Sequence, residues 1–354
     1  MKKRLLVSGF LLVVYGGCGK PPVERHIVPA FYHWQTGLEI TLAERLFLDS
    51  MGVEKLYVKF FDVDWDDASR QPVPLAPVEI DTTRLGSLEI VPTVFITNRT
   101  LLKVKLEEVP VLARRVFDKI ASLAQPLQSS HPAILQSFQF DCDWTESTRE
   151  KFFAFLVHFR AILNAPNPKP KTQIPELTAT IRLHQLKFFE KTGVPPVDKG
   201  MLMFYNMGDL EDWQTENSIL DITTAKKYLT PNKYPLPLDV ALPLFHWGVV
   251  FREGKLARLI NDLSEADLQD TTYFALTAHN RYEIRQSTYM QGQYLYKGDQ
   301  VRLEGISVKE LEQSVALLNN VCNQQEMEIA FYHLDTGTVK VFPANILQQV
   351  LEGF

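Results

Sequence analysis

The sequence has 354 residues, 45% of them hydrophobic, and a formal net charge of −5 at neutral pH. A chain of this size and composition can bury the core of one large barrel or of two ordinary domains. The charge is mildly negative and no basic cluster follows residue 4, which argues against nucleic acid as a partner. Beyond residue 18 only Cys142 and Cys322 remain, too few for a disulfide framework.

The N-terminal segment has the layout of a signal peptide. Residues 2–4 are basic, and residues 5–15 form an apolar stretch too short to span a bilayer comfortably. Gly16 and Gly17 then precede Cys18. A cysteine directly after small residues at the end of such a stretch resembles the lipobox of bacterial lipoproteins.

This resemblance implies lipidation of Cys18 and cleavage just before it. An ordinary secretory signal with an incidental cysteine is the alternative. We expect a signal peptide over residues 1–17 and a lipidated tether over residues 18–25. The protein is then expected in a bacterial cell envelope, on the outer membrane or the periplasmic face.

Beyond the tether, short β-rich segments alternate with helical patterns. Eight segments have the composition and alternation of strands: 27–32, 55–61, 89–96, 137–142, 177–183, 200–205, 239–245 and 328–333. Helical patterns fall between several of them: 42–51, 110–123, 148–163 and 218–229. Eight strands alternating with helices predict an α/β fold, a (β/α)8 TIM barrel over residues 26–354. An open doubly wound sheet is the alternative, weakened because no Gly-rich turn follows the first strand.

One interval is too long for an ordinary connection between a strand and a helix. Residues 246–327 separate the seventh and eighth predicted strands. Within this interval, residues 282–288 and 293–303 have β character, and residues 307–318 have a helical pattern. We therefore predict a β-rich insertion at about 261–306 and a last barrel helix after it.

The fourth predicted strand ends in two closely spaced carboxylates. Because side chains alternate between the faces of a strand, Asp141 and Asp143 share a face with Gln139. In a barrel this polar face looks inward at the end of the strand where barrel active sites are built. Two like charges this close are expected to raise the pKa of one carboxyl, as acid–base chemistry requires. Asp141 and Asp143 are therefore catalytic candidates, and capping of the next helix is the alternative role.

Other strand ends supply candidate substrate contacts. These are Trp34, Arg182, His184, Tyr205, Asn206 and Trp247. Aromatic rings at several strand ends are typical of sugar-binding surfaces, although each ring alone is more often part of a core. For Arg182 and His184, neutralisation of the two aspartates by a buried ion pair is the alternative role.

The order of these motifs resembles the chitinase-like glycoside hydrolases of family eighteen. That family has D-x-D-x-E at the end of strand four and M-x-Y-D on strand six. Asp141, Asp143 and Tyr205 match these patterns, and Asn206 replaces the second motif's aspartate. The resemblance implies that Asp143 orients the N-acetyl group of a substrate and that Tyr205 contacts the same group.

The same comparison exposes a mismatch. Thr145 stands where the family has its general-acid glutamate, and the catalytic candidate Glu146 comes one residue late. The tryptophan usual at strand eight is also missing, since Leu334 and Asp335 lie there. We expect a glycoside hydrolase-like barrel that acts on or binds a carbohydrate. A non-catalytic glycan-binding or structural envelope lipoprotein on a degenerate barrel is the alternative.

The sequence offers little support for a metal or cofactor. The acidic run at residues 62–67 begins like a calcium loop but lacks the glycine and the late glutamate of that motif. We predict a solvated loop at the barrel mouth, with metal or sugar contacts as the alternative. His33, His246 and His333 lie at strand ends without metal-ligand spacing, so neither zinc nor another cofactor is expected.

Overall fold

The computed structural model of the chain describes residues 25–130, 135–165, 174–229, 234–322 and 324–354. The predicted signal peptide and Cys18 lie outside these residues. Across the described part of the chain, no helix combines the length and apolar character needed to span a membrane.

Eight parallel strands close into a barrel. They are β1 His26–His33, β2 Lys55–Asp66, β3 Glu89–Ile96, β4 Ser137–Asp141, β5 Glu176–Arg182, β6 Lys199–Met203, β7 Leu238–Pro243 and β8 Glu326–Tyr332. Each strand pairs in parallel with the next in the chain, and β8 pairs with β1. This last pairing closes the sheet, so the predicted (β/α)8 fold is confirmed and the open sheet is excluded.

Helices cover the outside of the barrel. They are α1 Leu42–Met51, α2 Asn98–Lys103, α3 Val109–Leu123, α4 Gln125–Ser130, α5 Arg149–Asn164, α6 Leu183–Lys187, α7 Phe189–Thr192, α8 Ile222–Tyr228, α9 Val308–Leu318, α10 Thr336–Val341 and α11 Ala344–Glu352. Thr41 and Glu44 form a capping box at the start of α1, and Ser307 and Glu310 form one at α9. These reciprocal hydrogen bonds satisfy backbone donors of the first turn and explain why both helices begin where the sequence predicts.

The two faces of β4 show how the barrel is packed. On the outer face, the rings of Phe140 and Phe155 lie 4.8 Å apart between centroids, and those of Phe138 and Phe159 lie 5.4 Å apart. On the inner face, the Tyr32 hydroxyl donates to Gln139 Oε1 at 2.6 Å. The apolar side of the strand therefore packs on α5, and the polar side points into the barrel, as alternation along the strand predicts.

A five-stranded antiparallel sheet is inserted between β7 and β8. Its strands are Trp247–Arg252, Lys255–Asn261, Phe274–Ala278, Arg281–Ile284 and Gln300–Glu304, and a separate hairpin pairs Thr288–Met290 with Gln293–Leu295. The sheet has a small core of its own that includes Val250, Ile260 and Ile284. The insertion thus begins at Trp247, ahead of the start expected near residue 261. Apolar residues continue from β7 into the first inserted strand, so hydrophobicity does not mark this junction.

The acidic run at residues 62–67 is mostly strand, not the loop that the sequence predicts. β2 continues to Asp66 and pairs with the antiparallel strand Gln71–Leu75. Arg99 Nε donates to Asp64 Oδ1 at 3.0 Å, and hydrogen bonding from Arg99 lowers the pKa of Asp64 to about 2. Lys103 pairs with Asp67. The run is therefore neutralised by neighbouring cations, and the described residues contain no cluster of metal-ligating side chains.

Candidate active site

A cavity of about 730 Å³ lies at the C-terminal ends of the barrel strands. Residues at the ends of β1 and of β3 to β8 line it, together with residues of the insertion. It brings together most of the side chains singled out from the sequence: Trp34, Asp141, Asp143, Arg182, Tyr205, Asn206 and Trp247. His184 and Glu146 are not among the lining residues.

Arg182 interacts with both Asp141, the last residue of β4, and Asp143, which follows it. Its Nε donates to Asp143 Oδ1 at 2.5 Å, and Asp143 leaves about half of its side chain, 48%, exposed. Asp141 is buried and accepts a hydrogen bond of 2.6 Å from the Thr180 hydroxyl. The ion pair offered as an alternative role for Arg182 is thus present, and it lies in the cavity wall.

The protonation of this group follows from its burial. Burial raises the pKa of Asp141 above its ordinary value, although the charge of Arg182 opposes that shift. Burial alone would lower the pKa of Arg182, but the carboxylates of Asp141 and Asp143 outweigh it and raise that pKa. Arg182 therefore stays charged, while Asp141 holds its proton to higher pH than an exposed aspartate does.

An aromatic wall faces these charged groups. The Tyr205 ring lies 5.2 Å from that of Tyr332, and the Trp34 ring lies 5.6 Å from Tyr332. Phe245 continues the wall to Trp247, with centroids 5.0 Å apart. Such packed rings keep fixed orientations and present apolar faces beside polar groups. Tyr332 was not expected from the sequence, although it belongs to the aromatic pattern already noted at other strand ends.

The segment after β4 turns away from the cavity. The Thr145 backbone N–H donates to Thr148 Oγ1 at 2.9 Å, and the Thr145 and Ser147 hydroxyls are 2.9 Å apart. Thr148 is the N-cap of α5, and Glu146 is exposed. The strand alternation that would carry Thr145 inward ends at Asp141, because the chain turns here to begin the next helix. The structure does not bring Glu146 together with the two aspartates.

His184 lies beside the cavity in an adjoining pocket. This second pocket, of about 280 Å³, is lined by His184, Tyr228 and several residues of the first. His184 belongs to α6, which begins at Leu183, so it does not continue the inner face of β5 as the sequence predicts. Asn206 lies between the two pockets and has a φ of 57°, a left-handed conformation that asparagine tolerates better than most residues.

Sequence reasoning missed the cavity wall at the ends of β1 and β8. Glu39, Glu44, Asp335 and Asp262 all line the cavity. Glu44 was concealed in the helical pattern of α1, and Asp335 was noted only as marking a missing tryptophan. Acidic residues in the connections after strands one and eight were the available signal, because the C-terminal ends of barrel strands meet at one face.

Comparison with known proteins identifies the fold alone. No protein-family model matches the chain, and no curated protein matches it in sequence. A GH18 chitinase of Cycas revoluta, solved with (GlcNAc)3, is similar in structure with a TM-score of 0.51 and 12% identity, covering 92% of this chain and 99% of the chitinase. The spore cortex-lytic enzyme SleL of Bacillus megaterium has a TM-score of 0.50 and 13% identity, covering 94% of this chain and 75% of SleL. At these identities the likeness shows the (β/α)8 barrel fold alone.

Proposed function

We propose that this protein binds a carbohydrate in the cavity at the mouth of its barrel. The observation that carries the proposal is the convergence of Asp143, Arg182 and Tyr205 with Trp34 and Trp247 around one cavity. Sugars present hydroxyl groups at their edges and apolar C–H groups on their faces, so they suit a pocket of fixed charges and packed rings. The likeness to a chitinase solved with a bound N-acetylglucosamine oligomer supports the same class of ligand.

Within this site Asp143 and Tyr205 have different tasks. The half-exposed carboxylate of Asp143 accepts hydrogen bonds from a ligand amide or hydroxyl, while Arg182 holds it in position. The Tyr205 ring is held between Tyr332 and Phe245 and faces the ligand from one side. An N-acetyl group bound between them is the arrangement that the family resemblance implies.

The local structure after β4 favours binding over cleavage. Cleavage of a glycoside needs an acid that protonates the leaving oxygen. In the motif that the sequence resembles, this acid is a glutamate, and Thr145 stands at the matching position of the sequence. A threonine hydroxyl does not supply a proton near neutral pH. Glu146 is exposed outside the cavity lining. The site that we propose is therefore a hydrolase-like site without its general acid.

Hydrolysis is the second candidate function, and one observation favours it. Burial raises the pKa of Asp141, so this carboxyl carries a proton to higher pH than usual. Two neighbouring carboxyls of which one holds its proton to higher pH are a pairing that acid–base catalysis uses. This candidate predicts products from an oligosaccharide, whereas the first predicts a stable complex.

A titration with product analysis separates the two. Wild type and Asp143→Asn are titrated calorimetrically with (GlcNAc)4, and the mixtures are then examined for shorter products by mass spectrometry. We expect binding without cleavage in wild type and at least tenfold weaker binding in Asp143→Asn. Glu146→Gln is the matched control, and we expect it to bind like wild type. Equal binding by Asp143→Asn and wild type would overturn the assignment of Asp143, and rapid cleavage would favour the hydrolase.

We further propose that the protein is a lipoprotein of the cell envelope, anchored through Cys18. Support comes from the order of basic residues, apolar stretch, small residues and cysteine over residues 2–18. Cys18→Ser is expected to leave the membrane fraction and to take up no labelled fatty acid. Membrane sedimentation of the variant, together with no label in wild type, would contradict the anchor.

A further inference from the structure

The cavity carries more negative charge than its single arginine can balance. Its described lining residues include six carboxylates: Glu39, Glu44, Asp141, Asp143, Asp262 and Asp335. Arg182 is the one lysine or arginine among those lining residues, and it serves Asp141 and Asp143. Among the described residues, the other four carboxylates form no ion pair with lysine or arginine. Three of them, Glu39, Glu44 and Asp335, belong to the wall at the ends of β1 and β8.

Glu44 is held in place by neutral groups. Its Oε2 accepts hydrogen bonds of 2.8 Å from both the backbone N–H and the hydroxyl of Thr41, and its Oε1 accepts one of 3.2 Å from the Thr336 hydroxyl. The residue is only 6% exposed. These bonds fix the carboxylate, but they leave its charge without a counterion.

Asp335 is held in a similar way on the same wall. Its Oδ1 accepts a hydrogen bond of 2.6 Å from the backbone N–H of Thr338, at the N-terminus of α10. Its Oδ2 lies 3.2 Å from Nδ1 of His333, although the two atoms are not aligned for a hydrogen bond. Glu44, in the helix after β1, and Asp335, in the connection after β8, are thus two oriented carboxylates that line the cavity.

His33 lies buried behind this wall and is not itself among the residues that line the cavity. The residue is 4% exposed, and its Nδ1 has no hydrogen-bond partner. Its electrostatic neighbours are Glu44, His333 and Asp335, all of which line the cavity. Burial lowers the pKa of His33 to about 4, so the ring is neutral near pH 7 and does not offset the carboxylates. His333, which does line the cavity, also has a buried Nδ1 without a hydrogen-bond partner, and a ligand in the cavity can complete that position.

Neighbouring cations are engaged elsewhere. Lys59 lies 5.8 Å from the centre of the Trp34 ring, and its Nζ pairs with Asp62 at 3.1 Å. Arg84 donates to the backbone oxygen of Ile40 at 3.3 Å. No group of acidic, histidine or cysteine side chains in the described residues could hold a metal ion. A protonated amine bound at this wall would compensate its charges, whereas covering it with a neutral or anionic sugar leaves them uncompensated.

We propose that this wall binds the protonated amine of an amino sugar, so that the ligand is a glycan with free amino groups. The inference rests on the proposed carbohydrate-binding function and names its substrate class. Glu39, Glu44 and Asp335 supply the negative charge, and the Trp34 and Tyr332 rings beside them take the sugar face. A chain that carries both free and acetylated amines would use this wall together with the Asp143 side of the cavity.

Three tetrasaccharides of equal length test the proposal: (GlcN)4, (GlcNAc)4 and cellotetraose. Affinities are measured by calorimetry at a pH where the amine is protonated, at low salt and again in 0.5 M NaCl. We expect (GlcN)4 to bind wild type at least tenfold more tightly than cellotetraose. This advantage should shrink in high salt, because screening weakens interactions between partly exposed charges.

Two variants locate the amine site. Glu39→Gln removes an exposed cavity carboxylate, and Asp335→Asn removes a charge while keeping an N-cap residue for α10. Each is expected to weaken binding of (GlcN)4 about tenfold and to weaken binding of (GlcNAc)4 much less, because an acetylated amine carries no charge for these carboxylates to pair with. Glu150→Gln, an exposed residue of α5 outside the cavity lining, is the matched control and should change neither affinity.

The outcomes separate this inference from the function on which it rests. Tight binding of (GlcNAc)4 with no preference for (GlcN)4 over cellotetraose would overturn the amine site and leave carbohydrate binding intact. Equal losses for both amino-sugar ligands in Glu39→Gln and Asp335→Asn would also overturn it, because a charge effect must be specific to the cation. Failure of all three oligosaccharides to bind would overturn both proposals.

Discussion

The barrel buries charged side chains at both of its ends, but the two ends differ in how those charges are balanced. At the N-terminal end, Lys55 Nζ lies 2.8 Å from Glu328 Oε2, and Lys199 Nζ lies 3.6 Å from Asp239 Oδ2. The backbone N–H of Glu328 also donates to Asp239 Oδ1 at 2.8 Å. This floor cluster joins β2, β6, β7 and β8 near their starts, and its members are one another's partners.

At the C-terminal end the balance is incomplete. Arg182 serves Asp141 and Asp143, whereas Glu44 is held by neutral donors and Asp335 lies beside a histidine. A buried charge is therefore not by itself a sign of function. The distinguishing feature is a fixed carboxylate that faces a cavity without a counterion, and it occurs at the end where barrel sites are built.

Breaking the floor cluster should lower the free energy of unfolding more than any of the other substitutions. Lys55→Met removes the cation that faces Glu328, a residue that is 6% exposed. An unpaired buried carboxylate costs about 3 kcal/mol of unfolding free energy, and glycan affinity of the folded protein should not change. Urea unfolding and calorimetry measure the two quantities. Lys309→Met, at an exposed position of α9, is the control, and an equal loss in both variants would contradict a structural role for the pair.

The next largest effect should be the pH dependence of the unfolding free energy that Asp239 of the floor cluster causes. Burial, reinforced by Glu328, raises the folded-state pKa of Asp239 to about 6 from an ordinary 3.8. The folded state therefore binds this proton more tightly than the unfolded chain, so the stability it contributes is present below about pH 4 and is lost as pH rises through 6. Asp239→Asn keeps an acceptor for the Glu328 N–H and has no such loss. Relative to wild type it should gain about 2 kcal/mol between pH 4 and pH 7.5.

Unfolding curves of both proteins across this pH range measure that gain. Parallel stability profiles for wild type and Asp239→Asn would contradict the raised pKa. Such profiles would mean that Lys199 compensates the charge of Asp239 fully in the folded state.

At the mouth, restoring an acid should change chemistry more than stability. Thr145→Glu replaces an exposed residue whose hydroxyl bonds only to nearby side chains, so we expect a stability loss below about 1 kcal/mol. If the site lacks only its general acid, this variant should cleave (GlcNAc)4 where wild type does not. Mass spectrometry of the products measures this, with Thr145→Gln as the control. Retained binding without cleavage in Thr145→Glu would show that more than one catalytic group is missing.

The fold could be predicted from the sequence because its strands and their order carry simple signals. The β-rich segments alternate with amphipathic helices, and the capping boxes at Thr41 and Ser307 mark where α1 and α9 begin. The start of the insertion could not be located, because Val249 and Val250 continue the apolar run of β7. The sequence pattern did not predict helix α11, although Leu347 and Val350 are buried on one of its faces.

The site was predictable only as far as strand alternation extends. Gln139 and Asp141 face inward as expected, because regular strand geometry dictates their direction. Beyond Asp141 the chain turns, so the direction of Glu146 depends on hydrogen bonds among Thr145, Ser147 and Thr148 that no periodicity announces. The wall that holds Glu44 and Asp335 comes from connections after β1 and β8, whose paths are set by tertiary contacts.

The smallest effect on the free energy of unfolding is expected from Asp143→Asn, the same type of substitution made at the mouth of the barrel. Asp143→Asn removes a carboxylate whose side chain is 48% exposed, so solvent screens its ion pair with Arg182. Pairs of this kind contribute about 0–1 kcal/mol, and Arg182 keeps the charge of Asp141 as a partner. The unfolding free energy of Asp143→Asn should therefore stay within about 1 kcal/mol of wild type at pH 7, while Asp239→Asn gains more. If both variants shift stability equally, the two ends are balanced alike and Asp143 is a structural residue. A shift confined to Asp239→Asn, with glycan affinity lost only in Asp143→Asn, would assign stability to the floor and ligand binding to the mouth.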